Sequence, residues 1–433
     1  MRKPYIVVSC PADTFSGYGA RSRDVLWALI KNDKYDVQVM SQRWGNTPFG
    51  FLKHENEKHK LIIDRFLPNN QLTRQPDIWI QITVPNEYQK VGKVNIGITA
   101  GIETTFCAPQ WIEGLNRMDL NLVSSTHSKK VFESTNFEKK DQQGNVQAII
   151  KLEKPVEVLF EGVDVEKYFT LDKLPKSEIK DSLDSIKEDF GFLFVGHWLQ
   201  GILGEDRKNL GLTIKTFLEA FKNKPGKKPA LILKTAMGPC SIMNRDEILK
   251  RIDAIKQTIG SKNLPNIYLI HGDLTDEEMN ILYNHPKVKA LINLAKGEGF
   301  GRPLLEFTQS RKPIIASSWS GHMDFLHPEH TSLVPGELKP IHPSAQVKDI
   351  LMKDSQWFQF DIDFTIKLFK DYFKNYKSYI TRNRKLKYHC KENFSFDKMV
   401  ELLESIIDKN KPKQVEIKIP KIQKISKPSK PKK

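Results

Sequence analysis

The sequence predicts an α/β protein made of two parallel-sheet domains in tandem. Three observations lead there. Short β-branched or aromatic runs alternate with helical stretches along most of the 433 residues. Many of these runs are continuously apolar, as strands buried on both faces are. The alternation pauses once, near the middle of the chain. Such alternation places helices against the faces of parallel sheets.

In chain order, the first half carries YIVVS (5–9), VQVM (37–40), DIWIQI (77–82), VNIGIT (94–99), LNLVSS (120–125) and VEVLF (156–160). The pause is DVEKYFTLDKLPKSEIKDSLDSIKED (164–189), which is charged and holds no strand-like run. The second half resumes with FLFVG (192–196), ALILK (230–234), IYLIH (267–271), ALINL (290–294), PIIAS (313–317) and SLV (332–334). After Pro343 the pattern becomes helical, and the aromatic stripe over 357–379 reads as helix packing rather than base stacking. These breaks divide the chain into a first domain over 1–170, a linker over 171–190, a second domain over 191–380, a final helix over 381–408 and a basic tail over 409–433. Two open sheets in tandem bring the carboxyl ends of their strands to a shared cleft, where ligands bind.

Hydrophobic residues make up 39% of the chain and charged residues 28%, which supports real cores and excludes global disorder. No apolar run is long enough to span a membrane. The run Tyr5 to Cys10 is short and precedes polar sequence, so it reads as a buried first strand rather than a signal peptide. Cys10, Cys107, Cys240 and Cys390 lie far apart, which argues against a disulfide framework or a zinc site and fits a cytoplasmic protein. The net charge is +16. Residues 409–433 hold ten lysines against one glutamate, which leaves +7 for the rest of the chain. Prolines block a helix in the tail. It reads as a flexible arm suited to nucleic acid or an anionic membrane surface, or as a plain solvated tail.

The segment LAKGEGFGRPLLEFTQSRKPIIAS (294–317) carries the most chemistry. A strand ends, a glycine loop follows, and Pro303 suits the first turn of a helix. Glycines allow close backbone approach, and free N–H groups at the helix start attract phosphate. Glu298 falls in the loop, and Glu306 falls about one turn into the helix, facing the cleft. Two carboxylates beside a phosphate site repel phosphate but accept hydrogen bonds from hydroxyls. A diphosphate with sugar hydroxyls at both ends fits, and a nucleotide sugar is such a ligand. His271, Cys240 and the scattered tryptophans read as structural.

GEGFGRPLLEFTQSRKPIIAS resembles the two-glutamate, seven-spacer signature of retaining GT-B glycosyltransferases of the family-four type. SGYGARSRD, GIETTFCAPQWIEGLNRMDLNLVSSTHSKKVF, VLFEGVDVEKYF, FLFVGHW followed by DRKNL, and HGDLTDEEMNILY are similar to the same family in the same order, over roughly residues 5–335. The opening SGYGARSRDVLWAL looks like the enzymes of large tailed viruses. The resemblance implies two Rossmann-like domains facing across a cleft, with an acceptor-binding first domain, a nucleotide-sugar-binding second domain and a final helix packing back on the first. It implies that Glu306 holds the ribose and Glu298 the donor sugar. By the same resemblance, Gly299, Phe300 and Gly301 present amides to sugar and phosphate, while Lys208 with Arg207 neutralises the diphosphate. Lys234 is a second candidate cation. His197 stands where the family often has arginine, which leaves open how Arg207 and Lys208 share the task. Gly17 and Gly19 fit the loop approaching the phosphate from the first domain, and Glu103 and His127 fit acceptor-side positions.

The implied activity is metal-independent, retaining sugar transfer, with a nucleotide sugar as donor and no obligatory cofactor. The acceptor is open. Residues 41–75, with Arg21, Arg23 and the tail, are expected to form a basic face. That face suits hydroxymethylated pyrimidines in DNA or a glycan or lipid acceptor at a membrane surface. A catalytically idle nucleic-acid-binding protein and a non-hydrolysing epimerase on the same scaffold are the rival readings.

Overall fold

The computed structural model describes residues 2–238, 240–348 and 350–412. It contains two six-stranded parallel sheets, each flanked by helices. The first is built from β1 (Tyr5–Cys10), α1 (Gly17–Ile30), β2 (Asp36–Ser41), α2 (Glu57–Ile63), β3 (Ile78–Ile82), β4 (Val94–Thr99), α3 (Pro109–Arg117), β5 (Leu120–Val123) and α4 (Thr126–Ser134). A hairpin, β6 (Asn136–Lys140) with β7 (Val146–Lys151), then precedes the last strand, β8 (Val156–Val158). Strand order is β2-β1-β3-β4-β5-β8. β1, β3 and β5 are buried at every position, their few polar members Ser9, Gln81 and Asn121 included, as strands covered on both faces are. The β6–β7 hairpin was not foreseen. It is almost wholly exposed, so its residues carry no apolar period.

After α5 (Glu178–Asp184), the second sheet follows. It comprises β9 (Gly191–Val195), α6 (Leu210–Phe221), β10 (Ala230–Lys234), α7 (Ile242–Thr258), β11 (Ile267–Ile270), α8 (Asp276–Asn284), β12 (Val288–Asn293), α9 (Arg302–Thr308), β13 (Ile314–Ser317) and β14 (Ser332–Val334). Its order is β11-β10-β9-β12-β13-β14. The order reverses between β9 and β12, and a crevice opens beyond the carboxyl ends of strands at such a point. In the first sheet the reversal lies between β1 and β3.

The chain is not simply helical after Pro343. A second hairpin, β15 (Gly336–Pro340) with β16 (Gln356–Phe360), comes first. Trp357, Phe358 and Phe360 therefore belong to a strand, while Phe369 and Tyr372 of α10 (Ile362–Asn393) pack into the second domain's core. Helix α11 (Phe396–Asn410) places Met399, Val400, Leu403, Ile406 and Ile407 in the first domain's core. Each fully buried aliphatic side chain contributes about 1.5–3 kcal/mol. The helix extends to Asn410, so the basic arm does not start at 409. From residue 413 onward the arm lies outside the described residues.

The two interdomain crossings run side by side. Val163 N–H donates to Phe394 O at 2.9 Å, and Phe396 N–H donates to Val163 O at 2.8 Å. Tyr168 and Leu183 already pack with the second domain, so the chain crosses earlier than residue 170. Arg21 is not part of a basic face. It is 2% exposed, and its guanidinium donates to Phe160 O at 3.0 Å and to Leu159 O, pinning α1 beside the end of β8. Arg23 likewise turns inward. It donates to Ala12 O and Thr14 O and lies over the Phe51 ring.

Candidate functional site

The site forms where the loops after β9 and β12 meet. Asp206 accepts the Leu210 N–H at 3.2 Å and so caps α6. Asn209 takes a left-handed turn with φ 56°. Lys296 N–H donates to Arg207 O at 2.8 Å and ties the two loops together. This turn aims Arg207 and Lys208 at the loop beyond β12. Lys208 Nζ lies 2.6 and 2.8 Å from the two Glu298 carboxylate oxygens, and Arg207 Nη1 lies 3.2 Å from one of them. Asn293 Nδ2 donates to Glu298 Oε1 at 2.9 Å. Glu298 is 4% exposed. Burial pushes its pKa up, but Lys208 and Arg207 outweigh burial and hold it at about 2. The carboxylate is thus ionised at neutral pH and there only accepts hydrogen bonds. Burial lowers the pKa of Lys208, against the pull of Glu298.

The first domain reaches this cluster through Glu103, 3.6 Å from Arg207. The glycine loop explains the closeness. A Cβ on Gly297 would sit 2.0 Å from Glu103 O, and one on Gly299 would sit 2.4 Å from Ala100 O. These glycines were expected to admit a ligand; they admit the neighbouring domain's backbone. Gly297→Ala is therefore expected to cost about 1–3 kcal/mol through overpacking, read by urea unfolding. An unchanged midpoint would mean the loops separate freely. Gly301 has φ 95°, a conformation that suits glycine. Phe300 turns its ring into the core against Phe325, at 5.1 Å, so only its backbone can face a ligand. Among the described residues, the amides of Gly299, Phe300 and Gly301 have no hydrogen-bond partner. Helix α9 is only seven residues long, so these loop amides, not the helix, are the donors on offer.

Glu306 lines an interdomain cavity of about 440 Å³, together with Gly17, Asp24, His197, Asp276 and Arg302. Its carboxylate meets Arg302 Nε at 3.0 Å and the Tyr283 hydroxyl at 3.3 Å. Arg302 also bonds Asp24 of α1 at 2.5 Å and lies 3.9 Å from Glu161. Burial raises the Glu306 pKa to about 7; Arg302 opposes that shift and Asp276 adds to it. A raised carboxyl pKa means the proton is held more tightly folded than unfolded. Glu306 therefore gains its full charge only above neutrality. Ligand hydroxyls are best accepted by the ionised form, so donor affinity is expected to rise between about pH 6 and pH 8. Glu306→Gln should abolish that dependence. Donor KM measured across the range decides it.

Gly17 opens α1 on the cavity wall, with open space where a Cβ would go. Gly19 serves the turn instead, since its Cβ would lie 2.3 Å from Thr14 O. His197 is exposed to the cavity. Its pKa is lowered by desolvation, then by the cations Lys208, Lys234 and Arg207, against a hydrogen bond to the Ala236 backbone. Lys234 donates to Gly272 O at 2.6 Å. His127 stands edge-on to Trp319 at 4.7 Å, with its buried Nε2 unpartnered. Burial, then His322, lowers its pKa to about 4, so the ring is neutral at physiological pH.

Sequence reasoning missed the turn after β13. Ser320 Oγ accepts the Glu298 N–H at 2.9 Å, and Gly321 N–H donates to Glu298 O at 2.9 Å. Asp324 accepts the Thr126 N–H at the start of α4, at 2.7 Å. The Ser320-Gly321 pair just past a strand's carboxyl end was the available signal. Arg302 and Asp24 were also missed. Asp24 lies seven residues after Gly17, hence on the same helix face.

No protein-family model matches the sequence, and no curated protein matches it. Solved structures do. Sucrose-phosphate synthase from Thermosynechococcus elongatus superposes with a TM-score of 0.61 at 12% identity, over 94% of this chain and 99% of that one. A glycosyltransferase from Rickettsia africae gives 0.61 at 11%, over 96% and 100%. HepE from Anabaena, solved with UDP-glucose, gives 0.55 at 13%, over 93% and 99%. What this chain shares with them is the GT-B fold: two Rossmann-like parallel-sheet domains facing across a cleft, with a helical C-terminal segment.

Proposed function

We propose that the protein is a retaining glycosyltransferase that moves a sugar from a nucleoside-diphosphate sugar to an acceptor hydroxyl without an obligatory metal. One observation carries the reading. Glu298, paired with Lys208 and Arg207, and Glu306, on the cavity wall, both stand beyond the carboxyl ends of the second sheet where its order reverses, against the first domain.

In this reading Glu306 accepts the ribose hydroxyls. Glu298, held ionised, accepts a donor-sugar hydroxyl and positions it. The bond from the anomeric carbon to the diphosphate breaks and the bond to the acceptor oxygen forms on the same face. The acceptor's proton passes to the leaving phosphate oxygen. Charge accumulating on that phosphate is met by Lys208 and Arg207, by the amides of Gly299, Phe300 and Gly301, and by Lys234 as a second cation. Preorganised charges in a desolvated site stabilise such a transition state strongly. Gly17 and His197 border the donor; Glu103 and His127 border the acceptor. The solved structure of HepE with UDP-glucose supports a nucleotide-sugar donor.

For the acceptor we propose a hydroxymethylated pyrimidine in DNA. The chain's +16 charge and the exposed Arg43, Lys53, Lys58, Lys60 and Arg74 of the first domain support an anionic acceptor. Such a base is reached by flipping it from the stack.

A thermal-shift panel of UDP-, GDP- and ADP-sugars tests the donor, since a ligand of the native state raises the melting temperature. Transfer is then assayed with hydroxymethylated and unmodified DNA, with and without EDTA, and the product's anomeric configuration is read by NMR. The proposal expects a shift with one donor class, and transfer that survives EDTA, retains configuration and is lost in Glu298→Ala. Absence of any shift rejects the donor site. Transfer only to glycan or lipid acceptors rejects the DNA assignment while leaving the donor site standing. DNA binding without turnover marks an idle scaffold.

A further inference from the structure

The expectation of no zinc site rested on the cysteines. In the turn between β13 and β14, His327, Glu329 and His330 come together. One ligand atom from each lies within 4.8 Å of the others; His327 and Glu329 are exposed and His330 half-buried. From this geometry we propose that His327, Glu329 and His330 form a binding site for a divalent transition metal, zinc above all, remote from the sugar-transfer cleft.

The donor set suits the ion. Two imidazoles and one carboxylate are borderline ligands that zinc accepts at about 2.0–2.2 Å, with water completing the sphere. In a tetrahedral sphere, two ligands at that distance lie roughly 3.4 Å apart. The side chains, two of them exposed, reach that by closing up to about 1.4 Å through rotamer changes.

The turn is braced as metal-bearing turns need to be. Arg382 of α10 donates to Glu329 O at 2.7 Å, to Thr331 O at 3.0 Å and to Pro328 O, so one guanidinium sets the directions of three carbonyls of the turn. The Glu329 amide N–H lies 3.3 Å from His327 Nδ1, and the His327 and His330 ring centroids are 5.6 Å apart.

The site is not the cleft. The chain leaves β13 at its carboxyl end and must return to the amino end of β14, which starts at Ser332. Residues 327–330 immediately precede that amino end, at the edge of the sheet opposite the donor cavity. Tyr372 marks the same edge, bonding Ser332 Oγ at 2.7 Å. The same segment runs back through Asp324 and His322 to Ser320, which holds Glu298, so occupancy would stiffen the support of the cleft without entering it.

The test uses the untagged full chain, freed of metal with EDTA and dialysed. Zinc chloride is titrated by calorimetry, and cobalt(II) is added separately to read its visible absorption. The expected result is one saturable equivalent, a zinc-dependent rise in melting temperature and a four- or five-coordinate cobalt spectrum. Loss of outer-shell partners alone weakens metal sites about 10–100-fold. His327→Ala/His330→Ala should therefore weaken binding by at least about 100-fold, and Glu329→Gln by at least about 10-fold. His54→Ala/His59→Ala, a control for scattered surface histidines, should bind as the wild type does. Circular dichroism confirms that each variant is folded. Absence of saturable binding overturns the proposal, as does binding that survives His327→Ala/His330→Ala or disappears in the control pair. Because sugar transfer is not the readout, failure here leaves the donor site untouched, and failure of the donor site leaves this one standing.

Discussion

Lys208→Ala is expected to lower kcat for sugar transfer by about 10²–10³-fold, the usual effect of deleting one preorganised donor to a developing anion. It should also lower stability by about 3–5 kcal/mol, because it removes one partner of a buried ion pair. Glu298 would keep Arg207 at 3.2 Å and Asn293 at 2.9 Å but lose its two shortest contacts. Turnover and urea unfolding read the two effects separately. Lys208→Met combined with Glu298→Leu replaces both charges with apolar groups of similar size and should recover most of the stability while staying inactive. The acid limb gives a third readout. Glu298 titrates at about 2 when folded, well below its unfolded value, so the stability it contributes is present above the unfolded pKa and lost as pH falls through about 2. Without Lys208 that loss should begin at higher pH. Wild-type turnover in Lys208→Ala would remove this cluster from the donor site.

Arg302→Ala is the second large effect. Arg302 stands among three carboxylates, Asp24, Glu161 and Glu306, two of which come from outside its own domain. Its removal leaves them facing one another in a partly desolvated cavity, and about 3–5 kcal/mol of stability should go at neutral pH. The loss should shrink as pH falls from about 8 to 6. The sign follows from Glu306, whose raised pKa means the folded state takes up a proton first as the solution is acidified, which removes one of the repelling charges. Arg302→Lys should restore part of the loss, since lysine supplies the charge but not the fork that reaches Glu306 and Asp24 together. Melting temperatures across the pH range decide the matter. A pH-independent loss would mean that Arg302 acts by packing alone.

Much of the architecture was legible because it is local. YIVVSC, IWIQI and LNLV are predominantly apolar because both faces of each strand are covered, and that signature needs no knowledge of neighbours. The glycine loop with Glu298, and Glu306 one helical turn beyond Pro303, could be placed from turn and helix rules. The β6–β7 and β15–β16 hairpins escaped for opposite reasons. The first is too polar to show a period, and the second places an aromatic strand against an aromatic helix, so QWFQF merges with the stripe that follows.

By itself the sequence determined the α/β class, the two parallel sheets, the loop that carries one acidic residue and the helix that carries the other. Each of these rests on periodicity or turn chemistry within a few residues. Only the tertiary structure decided that Gly297 and Gly299 make room for Glu103 and Ala100, that Ser320 holds the Glu298 backbone and that Arg302 joins two domains. It also decided that Arg21 is buried rather than exposed. The reason is physical. Strand order chooses partners tens to hundreds of residues apart, and a charged group's behaviour depends on the water it loses and the opposite charge it gains, neither of which any short stretch of chain contains.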